Sequence, residues 1–395
     1  MENRQLRFSA RGDALIGQEM FKVLDRARKI EEGGGKVIHL ELGNPRLPPP
    51  PGLVEATIQT LQRHDVGYTY SGGLPLLRQT IAKRYRDAHH CAVTEANIVV
   101  SPANFLINQF LDLVCDRGDR VVFFTPAFPT YWAAAAHIGL KVDEVALDPA
   151  SGYDLTTADV DAAIALRPRA ILINSANNPT GAVYAREVLD YLAARCAQAG
   201  IWILSDETYG DIAYGRNFYT LAEAGARHIV VMCSFSKIFS VPGYRLGFAV
   251  AAPDIVEKLS LSVSTQLSCL PIFTQLGCVE GLKVIDDYTH ALRERFATTN
   301  AECAKIINES NVLQCSNPAA GFYVFVDLAS LDIDDMAFCQ RLLDECSVAV
   351  TPGRSFGPAY KHHIRIATCG EWPAVQEGVM RTIEMSRRLA GAPVV

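Results

Sequence analysis

No run of this sequence approaches the roughly 20 consecutive apolar residues that a bilayer-spanning helix needs. The polar opening Met1-Glu2-Asn3-Arg4-Gln5-Leu6-Arg7 leads to no apolar leader segment, so the expected location is the cytoplasm. Basic excess is missing too. The net charge is -6 and the pI about 5.9, which leaves no broad positive field for nucleic acid or an anionic membrane and favours small-molecule chemistry. Eleven cysteines run from Cys91 to Cys369 without one Cys-x-x-Cys pair. Their odd number and scatter read as reduced thiols rather than a disulfide framework, and they offer no zinc-binding spacing. Nucleotide motifs are lacking as well. Gly33-Gly34-Gly35-Lys36 follows a helical segment and precedes Val37, so it reads as a helix stop and not a phosphate loop. No Gly-x-Gly-x-x-Gly follows a strand, which argues against a nicotinamide-binding unit.

What is present is a globular composition, 49% hydrophobic and 20% charged, sufficient for a substantial core. At 395 residues the chain exceeds what a single core usually supports, and two domains are expected. Short β-branched runs at 97–101, 120–125, 141–147, 170–174, 201–206, 229–235 and 247–251 read as strands. Between them, helical periodicity is clearest at 103–115, 185–199 and 252–264. The alternation predicts a mostly parallel sheet covered by helices on both faces. A single charge-rich helix is expected over 283–307, followed by a smaller α+β unit with a strand at 321–327 and helices near 333–346 and 372–389. Near the start, an amphipathic helix at 17–31 leads to a strand at 37–42 and a proline-rich turn at 45–51.

Chemistry concentrates at the ends of the expected strands. Lys237 stands in Ser234-Phe235-Ser236-Lys237, and Arg245 follows eight residues later in Gly243-Tyr244-Arg245-Leu246-Gly247. An amine for a Schiff base, a hydroxyl three residues before it and a guanidinium after it are what a covalently held phosphate cofactor needs. A lysine in such a loop is also a common solvated residue, so its partners decide. Asp206 closes the strand 201–206, where open α/β sheets place their ligands, with Tyr209 one turn on. A carboxylate there either pairs with a cationic ring nitrogen or caps the next helix. The strand 170–174 runs into the turn Asn177-Asn178-Pro179-Thr180-Gly181, which brings Asn178 to the same sheet edge. The strand 97–101 opens through Pro102-Ala103-Asn104-Phe105 into a helix, a junction that aims free amides at an anion.

In this order and placement, these elements resemble the fold-type-I pyridoxal-phosphate enzymes, and the class I/II aminotransferases in particular. The matching segments span most of the chain. They are Leu42-Gly43-Asn44-Pro45, the run from Tyr68 to Arg78, Pro126 to Tyr131, Asn178 to Gly181, Ser205 to Tyr209, the Lys237 segment, Pro352 to Gly357, and Ile364-Arg365-Ile366. The fold the resemblance implies is α/β: a large domain, 51–285, with a mostly parallel seven-stranded sheet between helices, and a smaller α+β domain built from 1–50 and 286–395. The implied cofactor is pyridoxal 5'-phosphate, and the implied reaction moves an amino group between an L-amino acid and a 2-oxo acid. Lys237 would hold the cofactor as a Schiff base and move the proton, Asp206 would keep the ring nitrogen protonated, and Asn178 and Tyr209 would bond the ring oxygen. Phe128 would stack on the ring. Ser234, Ser236, Arg245 and the amides of Ala103 and Asn104 would take the phosphate, joined by Tyr68 from the neighbouring subunit of a homodimer. Arg365 would bind the substrate carboxylate, with Gly43 and Asn178 beside it.

Two departures from the family pattern stand out. No glycine precedes the helix after Ser101, and Phe105 falls where one aspartate-selective branch carries a lysine. Arg46 and Arg354 lie near expected substrate loops, as polar readers or as solvated loop residues. The same cofactor chemistry also serves β- or γ-elimination and oxidation, and related domains occur in regulators; no basic DNA-binding segment precedes the pattern here.

Overall fold

The structure, a computed structural model, describes residues 6–13 and 15–391; residues 1–5 of the polar opening lie outside the described residues. The seven expected strands form one sheet, made of Ile98–Val100, Arg120–Thr125, Lys141–Ala146, Ala170–Asn174, Trp202–Asp206, Ile229–Ser234 and Gly247–Val250. Their spatial order is first, seventh, sixth, fifth, fourth, second, third. Neighbours run parallel except Gly247–Val250, which is antiparallel to both of its partners.

Period-two alternation sends successive side chains to opposite faces. Ile171, Ile173, Ile203 and Val231 enter one core, whereas Leu172, Leu204, Val230 and Met232 enter the other. Because helices cover both faces, Ala170–Asn174 is buried throughout, which is why it reads as an unbroken apolar run.

A second sheet gathers Tyr323–Asp327, His363–Ala367, Gln314–Cys315 and Thr351–Pro352, around a core that includes Val324, Val326, Phe338, Ile364 and Ile366. The N-terminal segment joins this side of the molecule: Ile38–His39 pairs in parallel with Val348–Ala349.

The elements differ in detail from those expected. The helix expected over 283–307 is present, shifted by two residues: after Ile272–Lys283 ends at Val284, whose φ of -118° and ψ of 14° belong to neither helix, Ile285–Glu309 runs as one helix. The first of these helices packs on Pro51–Gln62. A Cβ on Gly277 would lie 3.0 Å from the Leu53 carbonyl oxygen and one on Gly281 3.0 Å from Leu53 Cδ1, so the two glycines allow the close approach. The strand expected at 37–42 pairs only over Ile38–His39, and Leu42 and Gly43 leave it to line a cavity. The helices Pro51–Gln62, Pro75–His89, Thr130–Ile138 and Thr157–Ala165 had no expectation attached. The glycine stop behaves as read: Gly33 ends the helix Glu19–Glu32 with its N–H donating to the Lys29 carbonyl at 3.2 Å.

Phe322 joins the two sheets' sides, fully buried, with ring centroids 5.0 Å from Phe296, 5.5 Å from Tyr209 and 4.9 Å from Tyr323. Phe322→Ala is expected to lower stability by about 3–5 kcal/mol, read as a fall in the urea midpoint with an unchanged slope. A loss below about 1 kcal/mol would contradict this packing role.

Candidate active site

The C-terminal edge of the large sheet faces the second sheet across a cavity of about 470 Å³, within the roughly 300–1,000 Å³ usual for small-ligand sites. The sequence-predicted residues Gly43, Ala103, Asn104, Phe128, Asn178, Asp206, Tyr209, Ser234, Ser236, Lys237, Arg245 and Arg365 all line it. Tyr68 does not. It is 92% exposed, on a surface loop away from its own chain's cavity.

Lys237 sits in the short helix Phe235–Ile238, whose N-cap Ser234 accepts from the Ser236 N–H at 3.2 Å. Its Nζ donates to the Gly43 carbonyl at 2.6 Å. The amine is enclosed by protein and reached through the cavity; burial, with help from the cations Arg365 and Arg245, brings it down to about 8. Asp206, 5% exposed, accepts at Oδ1 from the Thr208 N–H (3.1 Å) and hydroxyl (2.6 Å), and at Oδ2 from the Tyr131 hydroxyl (2.9 Å). Burial raises its pKa, and the Thr208 and Tyr131 hydrogen bonds partly offset this. Among the described residues no lysine or arginine pairs with it. The carboxylate is thus buried and hydrogen-bonded but lacks a cation.

Arg365 is 1% exposed. It donates from Nη2 to the Glu41 carbonyl (2.5 Å) and the Thr351 hydroxyl (3.2 Å), and from Nη1 to Asn178 Oδ1 (3.1 Å). Its guanidinium carbon lies 4.3 Å from the Tyr323 ring centroid and 5.0 Å from that of Phe356. Nε has no partner, and no carboxylate balances the charge. Tyr323 in turn places its hydroxyl 2.8 Å from that of Tyr209, and a Cβ on Gly43 would overlap the Tyr323 hydroxyl. Only glycine fits at position 43.

The departure before the Ala103–Val114 helix is accommodated. Pro102 is the N-cap, with φ -56° and ψ 131°, and the Leu106 N–H donates to its carbonyl at 3.0 Å. The amides of Ala103 and Asn104 therefore lie in the first turn, without helical partners. A Cβ on Gly247 would come within 3.1 Å of the Ala103 nitrogen, so that glycine keeps the approach open. These amides, Ser234 and the exposed Arg245 all line the cavity and are donors of the kind an anion takes. An uncompensated buried carboxylate, a half-buried amine of lowered basicity, donors suited to an anion and a carboxylate-free arginine fit a phosphorylated aldehyde with a basic ring nitrogen, together with a substrate carboxylate.

Gln18, in the loop 16–18 expected to fold over the site, and Thr208, within the matched segment Ser205 to Tyr209, both line the cavity, whereas Met20, Phe21 and Tyr323 had no sequence signal. Alternation in 321–327 marks a strand but not which side chain meets a cavity. Arg46 is exposed and outside the lining. Arg354 is neither a substrate reader nor a free loop arginine: its guanidinium holds Asp335 Oδ1 at 2.6 Å and Asp334 Oδ2 at 3.1 Å.

Fold and site together define a pyridoxal-phosphate enzyme of the aminotransferase type. The family model for aminotransferase class I and II matches residues 35–381, and the chain belongs to that family, which makes it a pyridoxal-phosphate-dependent aminotransferase. It is 30% identical over 338 residues to the aspartate aminotransferase of Thermotoga maritima, covering 84% of this chain and 87% of that protein. It is 28% identical to the (5-formylfuran-3-yl)methyl phosphate transaminase of Methanocaldococcus jannaschii, covering 94% and 98%. Among solved structures it resembles the aspartate aminotransferase of Rhizobium meliloti, with a TM-score of 0.90, 26% identity, and coverage of 98% and 100%.

Two outcomes follow. Since the neutral amine predominates above about pH 8, the rate at which apoprotein captures pyridoxal phosphate should rise with pH and level off near 8; a rise continuing towards 10.5, the ordinary lysine value, would contradict the geometry. Gly43→Ala, by displacing Tyr323 from beside Arg365, should lower kcat/KM at least about 100-fold, and near-normal kinetics would show that the close approach is dispensable.

Proposed function

We propose that the cavity exchanges the amino group of an L-amino acid with a 2-oxo acid, with Lys237 as the Schiff-base lysine and acid–base group. One observation carries this reading: a half-buried amine of lowered basicity, free of any carboxylate, shares its cavity with Asp206 and Arg365. Pyridoxal phosphate, when bound, supplies the sink for the charge that develops at the substrate α-carbon. Lys237 Nζ removes and returns the α-proton, a role suited to a group titrating near the operating pH. Asp206 keeps the ring nitrogen protonated. Arg365 has already given Asn178 a donor, at Oδ1, so Asn178 Nδ2 is left to donate to the ring oxygen alongside Tyr209. Phe128, half-buried on the cavity wall, stacks on the ring. Ser234, Ser236, Arg245 and the Ala103 and Asn104 amides hold the phosphate. The planar fork of Arg365 binds the substrate carboxylate bidentately, with Gly43 beneath it.

The working unit is a homodimer in which Tyr68 reaches the partner's phosphate cradle. Support comes from the 92% exposure of Tyr68 and from the exposed Val66, Tyr70 and Leu76 around it. The division into 1–50 with 286–395, and 51–285, draws support from the pairing of Ile38–His39 with Val348–Ala349 apart from the seven-stranded sheet. Eleven unpaired thiols support a reducing, cytoplasmic setting.

Lys237→Ala should abolish both the absorbance band of lysine-bound cofactor and turnover; full activity in that variant would sink the mechanism. Wild-type enzyme given an amino donor alone should accumulate pyridoxamine phosphate. Release of ammonia or a leaving group without that product would point to lyase chemistry instead. Arg365→Leu should cut kcat/KM by about a thousandfold, because an anchoring charge pair buried from water is worth about 2–5 kcal/mol.

A further inference from the structure

We infer that His39 is a positioning residue for the N-terminal wall of the cavity: as an imidazolium it bridges Glu31 and Glu41, and so fastens the helix Glu19–Glu32 to the chain that turns into the cavity at Leu42. Each ring nitrogen of His39 faces a carboxylate oxygen. Nδ1 lies 2.9 Å from Glu41 Oε1, and Nε2 lies 3.2 Å from Glu31 Oε1. An ionised carboxylate only accepts, and a neutral imidazole has a single N–H, so both bonds form together only when the ring carries its second proton.

Both partners need that charge. Glu31 stands with Glu32 at the end of Glu19–Glu32, where the helix dipole disfavours anions and Lys29 is the one basic residue of the last turn. Glu41 is 1% exposed, and among the described residues its Oε2 has no partner. The two links differ in burial, since the Glu31 side chain is 41% exposed. When the ring loses one proton, the remaining N–H stays with Glu41, which has no water to turn to, and Glu31 is released to solvent. The Glu41 hydrogen bond, opposed by burial and assisted by Glu31, raises the His39 pKa above the ordinary 6.5. The bridge is therefore complete below pH 6.5 and opens as pH rises through the raised value. No competing charge comes from the other elements on this strand. Val348 and Ala349 pair with it, and Trp372–Leu389 meets its opposite face, where a Cβ on Gly378 would lie 3.1 Å from Ile38 and 2.6 Å from Leu40.

The bridge joins two parts of the cavity wall. The helix carries Met20 and Phe21 in its first turn, and Glu41 precedes the lining residues Leu42 and Gly43. The Glu41 carbonyl also accepts from Arg365 Nη2 at 2.5 Å. The helix has two further ties, Gln18 Nε2 to the Thr130 hydroxyl at 2.9 Å and Arg26 to Asp344 at 2.6 Å. Neither titrates near neutrality. The link to catalysis rests on the reading above, in which Arg365 binds the substrate carboxylate.

The bridge is tested on the holoenzyme without ligand, by histidine-selective NMR, with His39 assigned from the signal lost in His39→Gln, and by hydrogen exchange of residues 26–35 corrected for intrinsic rates. His39 should titrate above 6.5, and exchange in that segment should rise at least about fivefold through the same pH. In Glu31→Gln, whose amide serves either form of the ring, the exchange step should vanish. Titration at or below 6.5, or a step that survives in Glu31→Gln, overturns the inference. The dissociation constant of butanoate, read from the cofactor absorbance, should be about threefold higher in His39→Gln than in wild type below pH 6.5 and equal above the titration. Equal constants at every pH would overturn the positioning role. Butanoate binding to neither protein would sink the assignment of Arg365 alone, since the NMR and exchange steps need no ligand.

Discussion

Burying a guanidinium without a carboxylate is costly, several kcal/mol of desolvation that only well-placed acceptors offset. In this chain three separate segments converge to hold Arg365. Glu41 brings a backbone carbonyl from the N-terminal segment, Thr351 a hydroxyl from the second sheet, and Asn178 a side-chain oxygen from the edge of the large sheet. Tyr323 and Phe356 offer their ring faces. The charge is therefore fixed in place but not neutralised, and the two sheets share one arginine. The cavity, the restriction to glycine at position 43 and the placement of Tyr323 against Tyr209 depend on that arrangement.

The same field acts on the opposite wall. Arg365 and Arg245 lie close enough to assist burial in lowering the basicity of Lys237, while Asp206 is kept apart by its own donors, Thr208 and Tyr131. Cations around an amine and a carboxylate without a cation are opposite uncompensated charges in one enclosure. They make sense together only when a molecule bearing an anionic phosphate, a basic ring nitrogen and an electrophilic carbon lies between them. The parallel strands make the geometry economical, since each delivers its last residue to the same edge.

Much of this was legible in the sequence because the strands are short, β-branched and bounded by turn residues, and because Asp206, Asn178 and Lys237 sit at or just past strand ends. The helix Ile272–Lys283 was not legible: it is buried on several sides, at Ile272, Gln275, Gly277, Cys278 and Leu282, so no apolar stripe contrasts with a polar one. With its end hidden, the following helix read as starting at Lys283 instead of Ile285. Met20, Phe21 and Tyr323 reach the site through tertiary packing, which carries no local pattern. Arg354 read as a substrate or solvent residue because its partner Asp335, fully buried, sits nineteen positions earlier on another element.

The central claim is that one particular amine, chosen by burial and neighbouring cations, carries the cofactor. Borohydride reduction of the purified holoenzyme, followed by peptide mass mapping, tests it most directly. The account predicts a phosphopyridoxyl group on the peptide containing Lys237 and on no other lysine. A modification at a different lysine, or none despite bound cofactor, would contradict it.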